Sequence, residues 1–251
     1  MRGRFPKILD HKDRGEEASK LYKDARKLLE DIVTNKRTLL RGVCGIWPAN
    51  RVGDDVEVYK DESRSEVLKT FHFLRQQKEK TKEGEPYYSL ADFVAPKDSG
   101  RIDYIGAFVV TAGNEIEEFA KTYKDKEDDY SAIIIQALAD RFAEGLAEYC
   151  HKLIRDQFGY GKEESFQFGD PLPAGEKEVN EHVEWLIKEK YRGIRPAAGY
   201  PSCPEHTEKQ GIWDLLDAQE HTGAYLTSSY AMFPPSSVSG LYFAHPDAQY
   251  F

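Results

Sequence analysis

No stretch of this chain approaches the roughly 18 consecutive apolar residues of a membrane span. The opening Met1-Arg2-Gly3-Arg4-Phe5-Pro6 does not lead into the apolar run of a signal peptide either. A cytoplasmic setting is expected. Cysteine is scarce: Cys44, Cys150 and Cys203 are an odd, scattered set without a C-x-x-C pair, which excludes a zinc finger and suits thiols in a reducing compartment. A basic surplus is also missing. The 35 Lys and Arg stand against 44 Asp and Glu, a net charge of −9, and the two signs alternate within residues 23 to 31 and 121 to 129. No basic stripe is left for a nucleic acid. G-x-S-x-G, the P-loop and G-x-G-x-x-G are absent, so hydrolase, nucleoside-triphosphatase and dinucleotide-binding readings lack support. Repeats and low-complexity tracts are absent too.

What is present is a globular composition. Hydrophobic residues make up 40% and aromatics 12% of 251 residues, too apolar for disorder and enough to bury a core without disulfides. Residues 16 to 33 place Ala18, Leu21, Tyr22, Ala25, Leu28, Leu29, Ile32 and Val33 at three- and four-residue spacing, which predicts an amphipathic helix. Residues 42 to 47 and 56 to 59 read as strands around a turn at 48 to 55. Residues 67 to 74 fit either state, and 104 to 111 read as a buried strand. Residues 132 to 158 read as a long helix, apolar nearly all round and therefore central. Residues 159 to 175, rich in Gly, Phe and Pro, are the best candidate for a mobile loop. Helices at about 178 to 190 and 207 to 216 and strands near 228 to 232 and 239 to 243 follow. With no regular βαβ alternation, the expectation is one α+β domain, 1–251, around a largely antiparallel sheet.

The chemically loaded stretch runs from Gly193 to Lys209. Three prolines hold it extended, Pro196 turns Arg195 away from helix, and Ala197, Ala198 and Gly199 allow close approach to the backbone. Arg195 offers a planar fork to a carboxylate and Tyr200 an aromatic face. The bland reading is a Pro/Gly loop whose arginine pairs with a surface acid. Cys203 and His206 would need remote partners to hold zinc, so no metal is expected; Thr207, or Pro204-Glu205-His206, more simply caps the helix that follows. Asp54-Asp55 could serve acid/base chemistry but after Val52-Gly53 reads as a turn cap.

Seven segments, in order along nearly the whole chain, carry a resemblance. They are Trp47 to Asp55, Leu74-Arg75-Gln76-Gln77, Leu90 to Pro96, Asp103 to Phe108, Ala137 to Arg141, Arg195 to Lys209, and Val238-Ser239-Gly240 through His245-Pro246. The chain resembles the C-terminal activation domain of cobalamin-dependent methionine synthase, a methyltransferase. The resemblance implies a bent, largely antiparallel sheet with flanking helices and a shallow groove for S-adenosylmethionine. It also implies a part in reductive methylation: oxidised cob(II)alamin returns to methylcobalamin with an electron from flavodoxin or a methionine synthase reductase. Cobalamin itself would be bound by another module, the expected partner.

Position by position, the resemblance assigns Arg195 to the ligand carboxylate, Ala197 to backbone contacts, and Gly199 and Tyr200 to the R-x-x-x-G-Y motif. Glu144 on the long helix would contact ligand polar groups, and Tyr250 and Phe251 would supply rings suited to an adenosyl sulfonium. No catalytic residue and no metal ligand is assigned. Against the family pattern, an upstream segment with a ligand-binding aspartate and the last helix are expected to be missing, and ligand affinity to be weak. The alternative is a docking module for the cobalamin domain and the electron donor with little ligand affinity of its own; an independent small-molecule methyltransferase lacks an identifiable nucleophile-activating pair.

Overall fold

The structure, a computed structural model, describes residues 5–80, 84–164 and 185–251. The first periodic segment forms helix α1, Gly15–Thr34. Its stripe is only partly covered: Ala18 and Ile32 are buried, whereas Tyr22 and Val33 face solvent.

Five antiparallel strands follow: β1 (Arg41–Val52), β2 (Asp55–Tyr59), β3 (Val67–His72), β4 (Asp103–Thr111) and, near the end of the chain, a strand at Ser237–Tyr242. That last strand sits beside β4, giving the order β3-β2-β1-β4-last. The twelve residues of β1 serve two partners. Arg41 to Ala49 pair with β4 and Ala49 to Val52 pair with β2, with Ala49 opposite both Asp103 and Val58. The two pairings overlap at Ala49 alone, one on each edge of the strand. The expected turn at 48 to 55 therefore shrinks to Gly53-Asp54, because Pro48 to Val52 continue the strand and only Gly53, at φ +66°, needs the left-handed region. The ambiguous 67 to 74 segment resolves as strand over Val67–His72.

β4 is the centre. Every residue from Ile105 to Thr111 is buried, because both faces are covered. Ile105, Ala107 and Val109 point into one cluster with Ile212, Trp213 and Leu216. Phe108 and Val110 point into another with Ala147, Cys150 and Ile154. Each such large side chain contributes roughly 1.5 to 3 kcal/mol by leaving water. Helix α2 (Glu115–Lys124) leads into α3 (Asp129–Phe158), the long central helix. The Asp128 carboxylate accepts the Ser131 N–H at 3.0 Å to cap α3, and Gly159 ends it at φ +99°. The expectation that α3 is apolar nearly all round is corrected: Ile133 and Tyr149 are exposed, while His151, Lys152 and Arg155 are buried. One buried stripe of this helix is charged.

Helix α4 (Glu208–Leu216) covers the other face of the sheet, and a short α5 (Ala218–Thr222) follows. The Trp213 indole N–H donates to the Ala224 carbonyl at 2.9 Å, so the ring is buried without an orphan donor. Two-residue strands β5 (Tyr225–Leu226) and β6 (Met232–Phe233) pair with each other, and Ser237–Tyr242 is β7. The strand expected near 228 to 232 is thus displaced. Thr227 closes a turn on Ala231, and Tyr230 sits at φ +60°. Most of the loop expected at 159 to 175 and much of the helix expected at 178 to 190 lie outside the described residues.

Candidate functional site

The segment after Gly193 runs beside β7 without being a full strand. Ile194 and Phe243 exchange backbone hydrogen bonds at 3.0 Å each, and the Leu241 N–H donates to the Pro196 carbonyl at 3.0 Å. Gly240 permits this approach, since a Cβ there would lie 2.6 Å from the Pro196 oxygen. The extended path turns Ile194, Pro196 and Ala198 inward and leaves Arg195 and Ala197 partly open. Among the described residues, neither the N–H nor the C=O of Ala197 is taken up by another backbone group.

Next the chain reverses. The Gly199 N–H donates to the Cys203 carbonyl at 2.8 Å and the Cys203 N–H to the Tyr200 carbonyl at 2.9 Å. Gly199 has φ +100°, and a Cβ on it would lie 2.4 Å from the His206 ring. Its role in this geometry is to let the turn close against that ring. Tyr200, at the tip, is 67% exposed.

The end of the chain folds over this loop. Tyr250 accepts the Arg195 backbone N–H on its hydroxyl at 3.0 Å. Ser202 donates its hydroxyl to the Phe251 carbonyl at 3.0 Å and accepts the Phe251 N–H at 3.3 Å. A cavity of about 500 Å³ lies between loop and terminus, lined by Arg195, Pro196, Ala197, Tyr200, Pro201, Ser202, Tyr250 and Phe251. That volume is within the range of small-molecule sites.

Five of the seven residues singled out from sequence, Arg195, Ala197, Tyr200, Tyr250 and Phe251, line one cavity. Gly199 shapes its loop from behind. Glu144 is exposed on α3 and is not part of the lining.

The Arg195 guanidinium is already engaged. Its Nη1 lies 2.8 Å from Glu148, donates to the Tyr191 hydroxyl and meets His151 Nδ1 at 3.2 Å; its Nη2 lies 3.2 Å from Glu189. Burial works against the charge, but the Tyr191 oxygen, Glu148 and Glu189 override it and raise the pKa. Burial also pushes the Glu189 carboxyl up, with Arg195 opposing and Glu148 adding to the shift.

Behind Arg195, Glu148, His151, Lys152 and Arg155 lie on one stripe of α3, at the helical spacings that bring side chains together. Arg155 is fully buried, holds Glu164 at 2.6 Å and lies 3.7 Å above the Tyr191 ring. Lys152 reaches Asp156 at 2.5 Å and the Gly161 carbonyl at 2.8 Å. Burial, then Arg155 and Arg195, holds the His151 pKa well below its usual value, so the ring is neutral. It stacks on Tyr242 with centroids 4.9 Å apart. Sequence reasoning chose Glu144 on α3 and passed over Glu148, one turn on, which is the acid of that helix that meets Arg195. The signal was in the sequence: Glu148-x-x-His151-Lys152-x-x-Arg155 is an ionisable row inside an otherwise apolar helix.

Other segments of the resemblance meet elsewhere. Asp92 pairs with Arg51 at 3.0 Å and with Arg75 at 2.6 Å, and Arg75 also holds Asp54. Asp55 lies 3.0 Å from His72. The carboxylate pair of the hairpin turn is thus already engaged by side chains of the same sheet region. Of the two caps expected for α4, the second is the one that forms: Thr207 makes no side-chain cap, and the Glu205 carboxylate accepts its N–H at 2.9 Å. His206 meets the Lys209 ammonium at 2.9 Å, and burial, then Glu208 and Glu205, pushes the Cys203 thiol up to about 12. Among the described residues no group of three or more His, Cys, Asp or Glu side chains could hold a metal ion, and no helix is long and apolar enough to cross a membrane.

The sequence matches the family described as vitamin B12 dependent methionine synthase, activation domain, over residues 1–251. A solved structure, described as the crystal structure of the MetH reactivation domain bound to AdoHcy, superposes with a TM-score of 0.89 at 49% identity. The match covers 100% of this chain and 72% of that one. The antiparallel sheet with its helices, the loop laid along its last strand and the match along the whole chain agree: this chain belongs to the activation-domain family of vitamin B12-dependent methionine synthase.

Proposed function

We propose that residues 1–251 act as a single activation domain that binds S-adenosylmethionine in the cavity between the 195–202 loop and Tyr250-Phe251. In that role the domain supports reductive methylation of cobalamin held by another module. The carrying observation is that cavity: five residues assigned from sequence alone line it, and the solved relative at 49% identity is described as bound to AdoHcy. When bound, S-adenosylmethionine supplies an electrophilic methyl group on sulfur.

This chain's own residues bind and orient. The unengaged Ala197 backbone offers a donor and an acceptor to a polar ligand group. Tyr200, Tyr250 and Phe251 offer faces to an adenosyl ring and a sulfonium, a contact worth roughly 0.5 to 2 kcal/mol. Arg195 holds the ligand carboxylate, which must share the guanidinium with Glu148 and compete with Glu189. Glu144 reaches ligand polar groups from the exposed side of α3. Full turnover of homocysteine to methionine belongs to the other modules, and the chain alone is not catalytic. The cobalamin-binding module and flavodoxin or a methionine synthase reductase are its partners, in the cytoplasm.

The docking-module reading, with little ligand affinity, has one observation in its favour: both ends of the Arg195 fork already face carboxylates of the chain. Calorimetric titration separates the two. Saturable heat with S-adenosylmethionine and S-adenosylhomocysteine, reduced in Tyr200→Ala, supports the ligand site. No heat, together with retained binding of the separate cobalamin-binding module, supports docking.

A further inference from the structure

Two of the three cysteines face each other across the interface between sheet and helix. Cys44 is on β1 and partly exposed; Cys150 is on α3 and 5% exposed. Both pack in the same cluster with Phe108 and Tyr242. The two side chains approach closely enough for each to perturb the other's ionisation. Strand and helix are pressed close at this level: a Cβ on Gly42, two residues before Cys44, would lie 3.4 Å from the Cys150 sulfur. Cys203, by contrast, is in the cluster on the opposite face of the sheet.

We infer that Cys44 and Cys150 form an oxidisable dithiol, closed by a peroxide into a disulfide that ties β1 to α3. The two positions have unequal roles. Cys44 has the access, being partly exposed, whereas Cys150 is buried among apolar side chains that hold its thiol protonated. Cys44 is thus the attacking thiolate and Cys150 the resolving thiol.

In the first step the Cys44 sulfur attacks one peroxide oxygen. The O–O bond breaks, the departing hydroxide takes a proton to become water, and Cys44 carries a sulfenic acid. In the second, the Cys150 sulfur attacks the Cys44 sulfur and the S–O bond breaks. The hydroxide that leaves takes the Cys150 proton as a second water. The two sulfurs lose two electrons and one peroxide gains them. A resolving thiol already in contact favours this route over further oxidation of Cys44. The buried Tyr242 hydroxyl has no hydrogen-bond partner among the described residues, and its side chain packs in the same cluster as both cysteines. It is a polar group beside the pair that no structural bond accounts for. Cys150 also immediately precedes His151, which touches Arg195, so the bond would fix the stripe of α3 behind the cavity.

The test treats the full chain with hydrogen peroxide, alkylates it in denaturant and measures intact mass and peptide maps. The expected product is lighter by two hydrogens before alkylation, carries one alkyl group at Cys203, yields a Cys44–Cys150 linked peptide and reverts with dithiothreitol. Cys203→Ser should lose the two hydrogens as the parent does; Cys44→Ser should not. Alkylation of all three thiols after treatment, or accumulation of sulfinic acid on Cys44 with Cys150 still free, would overturn the proposal.

Discussion

Ser202 and Phe251, 49 positions apart, are joined by two hydrogen bonds through a single hydroxyl, which donates to the Phe251 carbonyl and accepts its N–H. The loop and residue 251, two walls of the cavity, are thereby latched through one side chain. Ser202→Ala should cost about 0.5 to 1.5 kcal/mol for each bond lost. Because the bonds are local to the rim, the loss should show more in S-adenosylmethionine affinity than in the unfolding midpoint. Calorimetry and thermal unfolding on the same preparation check this, and a parental affinity would detach the latch from the ligand site.

From sequence alone, Arg195→Ala is expected to weaken ligand binding and leave stability nearly unchanged. The structure changes the second half of that expectation. With Glu148 at 2.8 Å and Glu189 at 3.2 Å, removal takes a cation from two partly buried carboxylates, an effect of roughly 1.5 to 3 kcal/mol, the scale of a hydrogen bond to a charged group. Urea unfolding should report a clear drop in midpoint, and a titration in which affinity also falls would tie both roles to one side chain.

Glu144 and Glu148 are one turn apart on α3 and should behave differently. Glu148→Gln removes the charge facing Arg195 and Arg155 and should lower stability by roughly 1.5 to 3 kcal/mol, the scale of a hydrogen bond to a charged group. Glu144→Gln, on the exposed side, should leave stability alone and lower S-adenosylmethionine affinity if the assignment from resemblance holds. Unchanged affinity in Glu144→Gln would remove it from the site.

His151 predicts a pH dependence. Its folded pKa is depressed, so the unfolded chain binds the proton first as the solution acidifies. The contribution is complete above the unfolded value of about 6.5 and declines by about 1.4 kcal/mol per pH unit below it, until the folded ring itself protonates. The stability of His151→Asn should therefore fall less steeply than the parent's below about pH 6.5. Parallel curves from chemical unfolding at several pH values would assign the acid limb to other groups.

Periodicity determined α1, because burial of one face imposes a repeat that survives in the residue order, and apolar runs marked β4 and α3. The antiparallel α+β class followed from the same patterns, and the Gly193 to Lys209 segment stood out because prolines and small residues restrict the backbone locally. The residues of the resemblance named five lining positions before any contact was visible. Only the tertiary structure decided what those positions do to one another. That Tyr250 receives the Arg195 N–H, that Ser202 latches Phe251, and that Glu148 rather than Glu144 meets Arg195 depend on elements dozens of residues apart. Long-range pairing of this kind leaves no period in the chain. The buried stripe of α3 is the instructive case: its charges were legible as letters, but whether they faced water or one another was set by the segment that packed over them.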